Sequence, residues 1–210
     1  MAFTYFFRDS QTLDAIVANV LPTMQGYKCI RIWDAGCAHG PEPYSIAIML
    51  REKMSDFMFR NVCIHATDID TTNEFGRIVE DGVYPFDELK RISPAIRQKY
   101  FRATERSGYY RIDDEIRSCV KFSKHDLLSL KPIRLELHLI VCKNVLLHLK
   151  PDQRADVIEM FFDALREGGF LAMEHTQELP DRAKDLFEPI TCLGQVFRKV
   201  STHAYQRVAV

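Results

Sequence analysis

No apolar run in this 210-residue chain reaches the roughly 18 residues that a membrane-crossing helix needs. Nor does a basic start lead into a short apolar stretch at the N-terminus, as it would in a secretory leader. A cytoplasmic protein without membrane insertion is the expectation. A block of one charge is also missing. Lys and Arg number 28 against 29 Asp and Glu, for a net charge of −1. Arg8, Lys28 and Arg31 are scattered rather than clustered, so nothing draws the chain to nucleic acid. None of the six cysteines (Cys29, Cys37, Cys63, Cys119, Cys142 and Cys192) stands in a Cys-x-x-Cys pair. Several sit inside apolar runs, where cysteine behaves as a small hydrophobe. Neither a structural zinc site nor a disulfide framework is expected. Internal repeats and low-complexity segments are lacking too.

What the chain does have is an ordinary supply of core. Apolar residues make up 47% and charged residues 27%, close to globular averages. One domain over residues 1–210 is expected. The apolar pattern alternates between strand and helix. Cys29–Asp34 reads as a strand ending in a glycine turn, and Pro41–Met54 as a helix with proline tolerated in its first turn. Asn61–Thr67 is a second strand and Thr71–Glu80 a helix. Val120–Ser123 and Glu136–Cys142 are further strands. Pro151–Arg166 is an amphipathic helix stopped by Gly168-Gly169, and Phe170–Glu174 a fifth strand. Gly194–Lys199 and His203–Val208 suit a terminal hairpin. Residues 83–119 break the alternation and read as an inserted helix with a small antiparallel lobe, YYRI (109–112) and EIRSCV (115–120) being its β-like runs. The sum is an α/β fold, a mostly parallel sheet with helices on both faces.

The most informative stretch is Trp33 through Gly40, WDAGCAHG. Asp34 ends a strand, and Gly36 and Gly40 let backbone approach a ligand closely. The spacing is not the G-x-G-x-x-G that cradles a pyrophosphate. D-x-G-x-x-x-G suits a nucleoside carrying an amino-acid tail and no phosphate. Asp68 closes the second strand, where an acid can accept both ribose hydroxyls of an adenosine. Asp70 or Thr71 is the better helix cap, which leaves Asp68 for a ligand.

Several segments resemble one family in detail and in order. Thr4-Tyr5-Phe6-Phe7-Arg8 is similar to the T-x-F-F-R entry motif of the CheR family, the S-adenosylmethionine-dependent glutamate O-methyltransferases that act on chemoreceptors. WDAGCAHGPEPYSIA (33–47) resembles its W-S-A-G-C-S-T-G-E-E-P-Y-S-L-A loop and helix, and ATDID (66–70) its A-T-D-I-D. Gly82-Val83-Tyr84 and residues 109–122 resemble its insertion. CKNVLLHL (142–149) resembles its C-R-N-V-L-I-Y-F. The resemblance implies a Rossmann-like class I methyltransferase sheet of seven strands, with a terminal antiparallel hairpin and a small inserted antiparallel β-lobe. It implies S-adenosylmethionine as cofactor and S-adenosylhomocysteine as product. It also implies a protein substrate, such as the cytoplasmic segment of a chemoreceptor, and a place in chemotaxis signal transduction.

Carried over by position, the implied cofactor contacts are Thr4, Arg8, Glu42, Asp68, Asp126, Leu127, Asn144 and Val145, beside Asp34, Gly36 and Gly40 of the loop. Glu42 could pair with the cofactor's ammonium, or simply place charge at a helix N-terminus. Asp126 stands where the family usually has Asn, keeping the acceptor and losing the donor. Arg8 and His148 are the candidate catalytic residues. Arg8 could orient an acceptor carboxylate in bidentate fashion or hold the cofactor's own carboxylate. His148 replaces the family's tyrosine, and histidine as a residue type ionises near neutrality where tyrosine does not. Lys143 replaces its arginine, Pro41 one of two adjacent acids, and Glu174-His175-Thr176-Gln177 its G-H-S-E. The family carries an N-terminal helical domain ahead of T-x-F-F-R, and that motif begins here at residue 4. Two other readings stand beside the glutamate methyltransferase. One is the same fold with a different acceptor, small molecule or protein. The other is a non-catalytic domain that binds the cofactor and signals through a partner.

Overall fold

The computed structural model describes residues 4–174, 176–190 and 195–201. Among them, ten strands form in chain order. They are β1 (Ile30–Ala35), β2 (Val62–Asp68), β3 (Val83–Pro85), β4 (Phe101–Ala103), β5 (Tyr109–Ile112), β6 (Val120–Lys124), β7 (Leu137–Cys142), β8 (Leu165–Met173), β9 (Phe187–Pro189) and β10 (Val196–Lys199). The helices are α1 (Ser10–Ala15), α2 (Pro41–Lys53), α3 (Asp56–Phe59), α4 (Phe75–Asp81), α5 (Phe86–Leu89), α6 (Pro94–Tyr100), α7 (Asp114–Ser118) and α8 (Pro151–Ala164).

Seven strands make one sheet in the order β6-β2-β1-β7-β8-β10-β9, and β3-β5-β4 make a second, antiparallel one. β6, β2, β1, β7 and β8 run parallel. β10 is antiparallel to both β8 and β9. The expected sheet of seven strands with an antiparallel end and a small inserted lobe is therefore present. The chain leaves β1 for β2 on one side and later returns to β7 on the other. That reversal opens a crevice at the carboxyl ends of β1 and β7, where open α/β sheets bind ligands.

Strand alternation sorts the core into two layers. Ile30, Ile32, Ile64, Ala66, Leu139 and Val141 face α2, the lobe and the N-terminal segment. Trp33, Ile140, Cys142, Leu171 and Met173 face α8 through Val157, Ile158 and Phe161. α2 is buried on nearly every side, from Pro41 to Leu50, as a helix apolar all round should be.

The structure moves several boundaries. α8 ends at Ala164, and Gly168-Gly169 lie inside β8, not at a helix end. Leu137 pairs with Leu165 and Leu139 with Phe170, so the glycines sit in a bulge that absorbs the extra residues. EIRSCV is not a strand: residues 114–118 form α7, because the Asp113 carboxylate accepts from the Glu115 N–H at 2.9 Å and buries Ile116. The helix expected from Thr71 begins at Phe75. Ser10–Met24 is helical throughout, as α1, a π-turn and a 3-10 turn. Its signal was in the spacing of Leu13, Ile16, Val20, Leu21 and Met24, all buried. The described arm of the terminal hairpin, β10, pairs with β9; the expected arm His203–Val208 lies outside the described residues.

Candidate active site

The turn after β1 is shaped by what cannot fit there. Gly36 has φ +103°, and a Cβ on it would stand 2.1 Å from Val145 Cγ2. Gly40 has φ +104° and would meet the Tyr84 hydroxyl at 2.6 Å. The N–H groups of Gly36 and Cys37 both donate to the Thr67 carbonyl, at 2.7 and 2.9 Å. Gly36 thus keeps the loop flat against the segment after β7. Gly40 serves packing under the loop and does not line the cavity.

Asp68 is held as a ligand group would be. Its Oδ2 accepts from the Ala38 N–H and its Oδ1 from the Asp70 N–H, both at 3.0 Å. Each carboxylate oxygen keeps a lone pair for another donor. Asp70 does the capping instead: Thr72 Oγ1 and the N–H groups of Glu74, Phe75 and Gly76 all donate to it. Burial opposes its charge, yet those bonds hold the carboxyl below the usual range.

The crevice holds a cavity of about 590 Å³ lined by Thr4, Arg8, Gly36, Glu42, Asp68, Asn144, Val145 and His148, together with Ala38, Lys143 and Leu147. A smaller cavity of about 190 Å³ shares Gly36, Asp68, Val145 and His148 with it. This one is walled by Ile69, Asp126, Leu127 and Leu128 and is largely apolar. Ten of the twelve residues expected at the site line one cavity or the other. Gly40 and Asp34 do not.

Asp34 lies beneath the floor. It is fully buried, and neither carboxyl oxygen finds a hydrogen-bond partner. Burial first, then the neighbouring Glu42, push its pKa well above the usual carboxylate range against the pull of Lys143. A neutral acid is the form such a place holds. Lys143 stands where the resemblance places an arginine. It proves to be a hub: its buried Nζ is 3.1 Å from Glu42 Oε2 and donates to the Arg8 carbonyl at 2.9 Å. The N-terminal arm is thereby tied to the cofactor loop. Phe6 anchors the same arm edge-on against Tyr84 and Phe101, and the Phe7 N–H donates to Ser45. On the other wall, Glu174 Oε2 accepts from the Asn144 N–H at 2.9 Å and fixes a residue with φ +58°. The Asp126 carboxylate accepts from the Leu128 N–H at 2.9 Å. His148 is exposed at the lip, on a 3-10 turn after β7.

A Rossmann-like parallel sheet with an antiparallel end, and an acid-walled crevice at its switch point, defines a nucleoside-cofactor site of the class I methyltransferase kind. The sequence profile of the CheR methyltransferase SAM-binding domain matches residues 2–195, and the chain belongs to that family. A "Probable chemotaxis protein methyltransferase" of Rhizobium etli is 29% identical over 90% of this chain and 72% of its own. The "Chemotaxis protein methyltransferase" of Borreliella burgdorferi is 30% identical over 84% of this chain and 64% of its own. The chain thus spans about two thirds of the length of these relatives. Among solved structures, magnesium protoporphyrin IX methyltransferase (ChlM) from Synechocystis PCC 6803 with bound SAM aligns with a TM-score of 0.49 at 15% identity, covering 91% of this chain and 79% of that one.

The residues present fit S-adenosylmethionine. The volume lies within the ~300–1,000 Å³ usual for such ligands. Glu42 and Asp68 set negative charge against a cationic cofactor, and the bare Gly36 leaves room beside Val145. Among the described residues no His, Cys, Asp or Glu group could hold a metal ion, and no helix is long and apolar enough to cross a membrane.

Proposed function

We propose that this domain transfers the cofactor's methyl group to a carboxylate, the side chain of glutamate in a protein acceptor of the chemoreceptor type. The observation that carries this reading is that Arg8 and His148 both line the larger cavity, with Glu42 and Asp68. Bound there, S-adenosylmethionine supplies an electrophilic methyl on a sulfonium. Asp68 is set to take the ribose hydroxyls and Glu42 the amino-acid ammonium. Leu127 and Leu128 offer an apolar wall, and Asp126 an acceptor, to the base. Thr4, Asn144 and Val145 close the sides.

The acceptor carboxylate is already ionised at neutral pH, its pKa lying near 4.3, so no residue need remove a proton. The chain's task is alignment, which can contribute on the order of 7–11 kcal/mol at best. Arg8 offers a planar fork of donors matched to a carboxylate, and Lys143 and Phe6 hold the arm that carries it. His148 donates one hydrogen bond at the lip and packs its ring beside the acceptor.

Incubation with methyl-labelled cofactor and a chemoreceptor cytoplasmic fragment tests this. Label released as volatile methanol by mild base is the expected result. Base-stable label would move the chemistry to an amine or hydroxyl acceptor with His148 as base. Tight cofactor binding without transfer would leave a binding domain.

A further inference from the structure

Strand alternation puts Arg31, Cys63, His65, Lys121 and His138 on the α8 side of the sheet, toward the amino ends of the strands. Arg31 pairs across to Cys63, His65 to Lys121, and β7 places His138 on the other side of Arg31. The connection from β6 to β7, residues 125–136, contains only a 3-10 turn at Leu127–Ser129. A doubly wound fold ordinarily lays a crossover helix there. The half-sheet is finished instead with polar side chains.

Three buried nitrogens on this face have no hydrogen-bond partner. The Arg31 N–H donates to His138 Nδ1 at 3.2 Å, so the ring proton sits on Nε2. That atom is buried, in a residue 7% exposed, and has no partner. Arg31 Nε and Arg134 Nε are likewise buried and unpartnered. Arg134 reaches in to donate to His65 Nε2 at 3.2 Å. Arg166 stacks over Tyr27 at the far end. Among the described residues none of Arg31, Lys121, Arg134 and Arg166 takes part in an ion pair, whereas Arg51, Arg117, Arg182 and Arg198 all do. Every charge that bears on the His65 and His138 rings is a cation, from Arg31, Lys121, Arg134 or Arg166.

We propose that this row (Lys121, His65, Arg134, Arg31, His138 and Arg166) is a docking site for an acidic amphipathic helix of a protein partner. The row crosses from β6 to β8, four strand spacings or about 19 Å. That is far longer than one phosphate and close to the length of ~13 helical residues. Leu135, 58% exposed, and Tyr27 offer apolar contact beside the cations, which favours a helix with an apolar edge over a bare polyanion. The chain's net charge of −1 gives no long-range pull on nucleic acid. A helix laid here would supply carboxylates to four unpaired cations and the layer this half-sheet lacks.

The test uses a labelled synthetic amphipathic helix with a glutamate stripe beside a leucine stripe, titrated against the whole chain by fluorescence anisotropy. Binding should weaken at least about tenfold in Lys121→Glu/Arg134→Glu, and equally when the peptide's glutamates become glutamine. S-adenosylmethionine affinity, unchanged in that variant, reports that it is folded. The His65 and His138 ring resonances should move on peptide addition, and His148 should not. Equal binding by the variant or by the glutamine peptide overturns the proposal. So does tighter binding of a single-stranded oligonucleotide of equal charge, which would make the face a nucleic-acid surface.

Discussion

The two ends of the same strands carry opposite charge. At the carboxyl edge Asp34 is the last residue but one of β1 and Asp68 the last of β2, Glu174 follows β8, and Glu42 stands on α2. Toward the amino ends are Arg31, Lys121, Arg134 and Arg166. The difference goes deeper than sign. Asp34 apart, each of the acids at the carboxyl edge has its partner within the chain: Asp68 two N–H groups, Glu42 Lys143, Glu174 the Asn144 N–H. That edge is preorganised, and the free protein has already met the cost of assembling its charges. The cations of the other end have no such counterparts among the described residues. One end is built around its own network, and the other presents groups for something else to satisfy.

The comparison breaks most severely if the buried cation of the acidic edge is removed. Lys143→Met leaves Glu42 buried without its counter-ion and releases the Arg8 carbonyl. Removing one partner of a buried pair costs about 3–5 kcal/mol. Denaturant unfolding should show that loss, and cofactor affinity should fall with it. Glu42→Gln in the same chain should restore part of the stability but not the affinity. A loss below about 1 kcal/mol in the single variant would mean the pair does not organise this edge.

The acidic edge was legible in the sequence and the cationic row was not, for a physical reason. Strand ends and the turns after them are contiguous, so Asp34 to Gly40, Ala66 to Asp70 and Cys142 to His148 each appear as a short run with its own chemistry. Arg31, Lys121 and Arg166 come from three separate strands and Arg134 from the connection before β7; they meet through sheet register and the path of that connection, which no local pattern encodes. Lys143 shows the limit within a legible motif. Its position was plain, but its bond to the Arg8 carbonyl spans 135 positions. EIRSCV misled because β-branched and apolar residues fit a strand, while the Asp113 cap decided for a helix. The bulge in β8 hid behind glycines that also mark helix ends.

A sharper cut separates binding from transfer within the acidic edge. His148 is exposed at the lip, whereas Asp68 and Glu42 lie deeper in the cavity wall. His148→Phe should lower turnover about tenfold, the value of one lost hydrogen bond of roughly 1.4 kcal/mol. Calorimetry should find cofactor affinity within about twofold of the parent. Wild-type turnover would remove His148 from the acceptor site.

The smallest effect is expected at Asp34, the one acid of this edge without a hydrogen-bond partner. If its carboxyl is neutral in the native state, asparagine copies its shape and charge at neutral pH, so Asp34→Asn should bind cofactor within about threefold of the parent. The difference lies in pH dependence. Burial and Glu42 raise the native pKa well above the 3.8 of the unfolded chain. Below 3.8 both states hold the proton, and this residue's contribution is fully present. As pH rises through the native pKa the unfolded chain has already lost its proton and the native state resists doing so, and the contribution is lost. Parent stability should therefore decline relative to Asp34→Asn from about pH 4 upward, then level off where the native carboxyl finally ionises. Parallel stability curves for the two proteins would show an ionised Asp34. An ionised Asp34 would add a buried negative charge beneath the cavity floor, and the cationic cofactor would be met by a stronger field than the neutral acid allows.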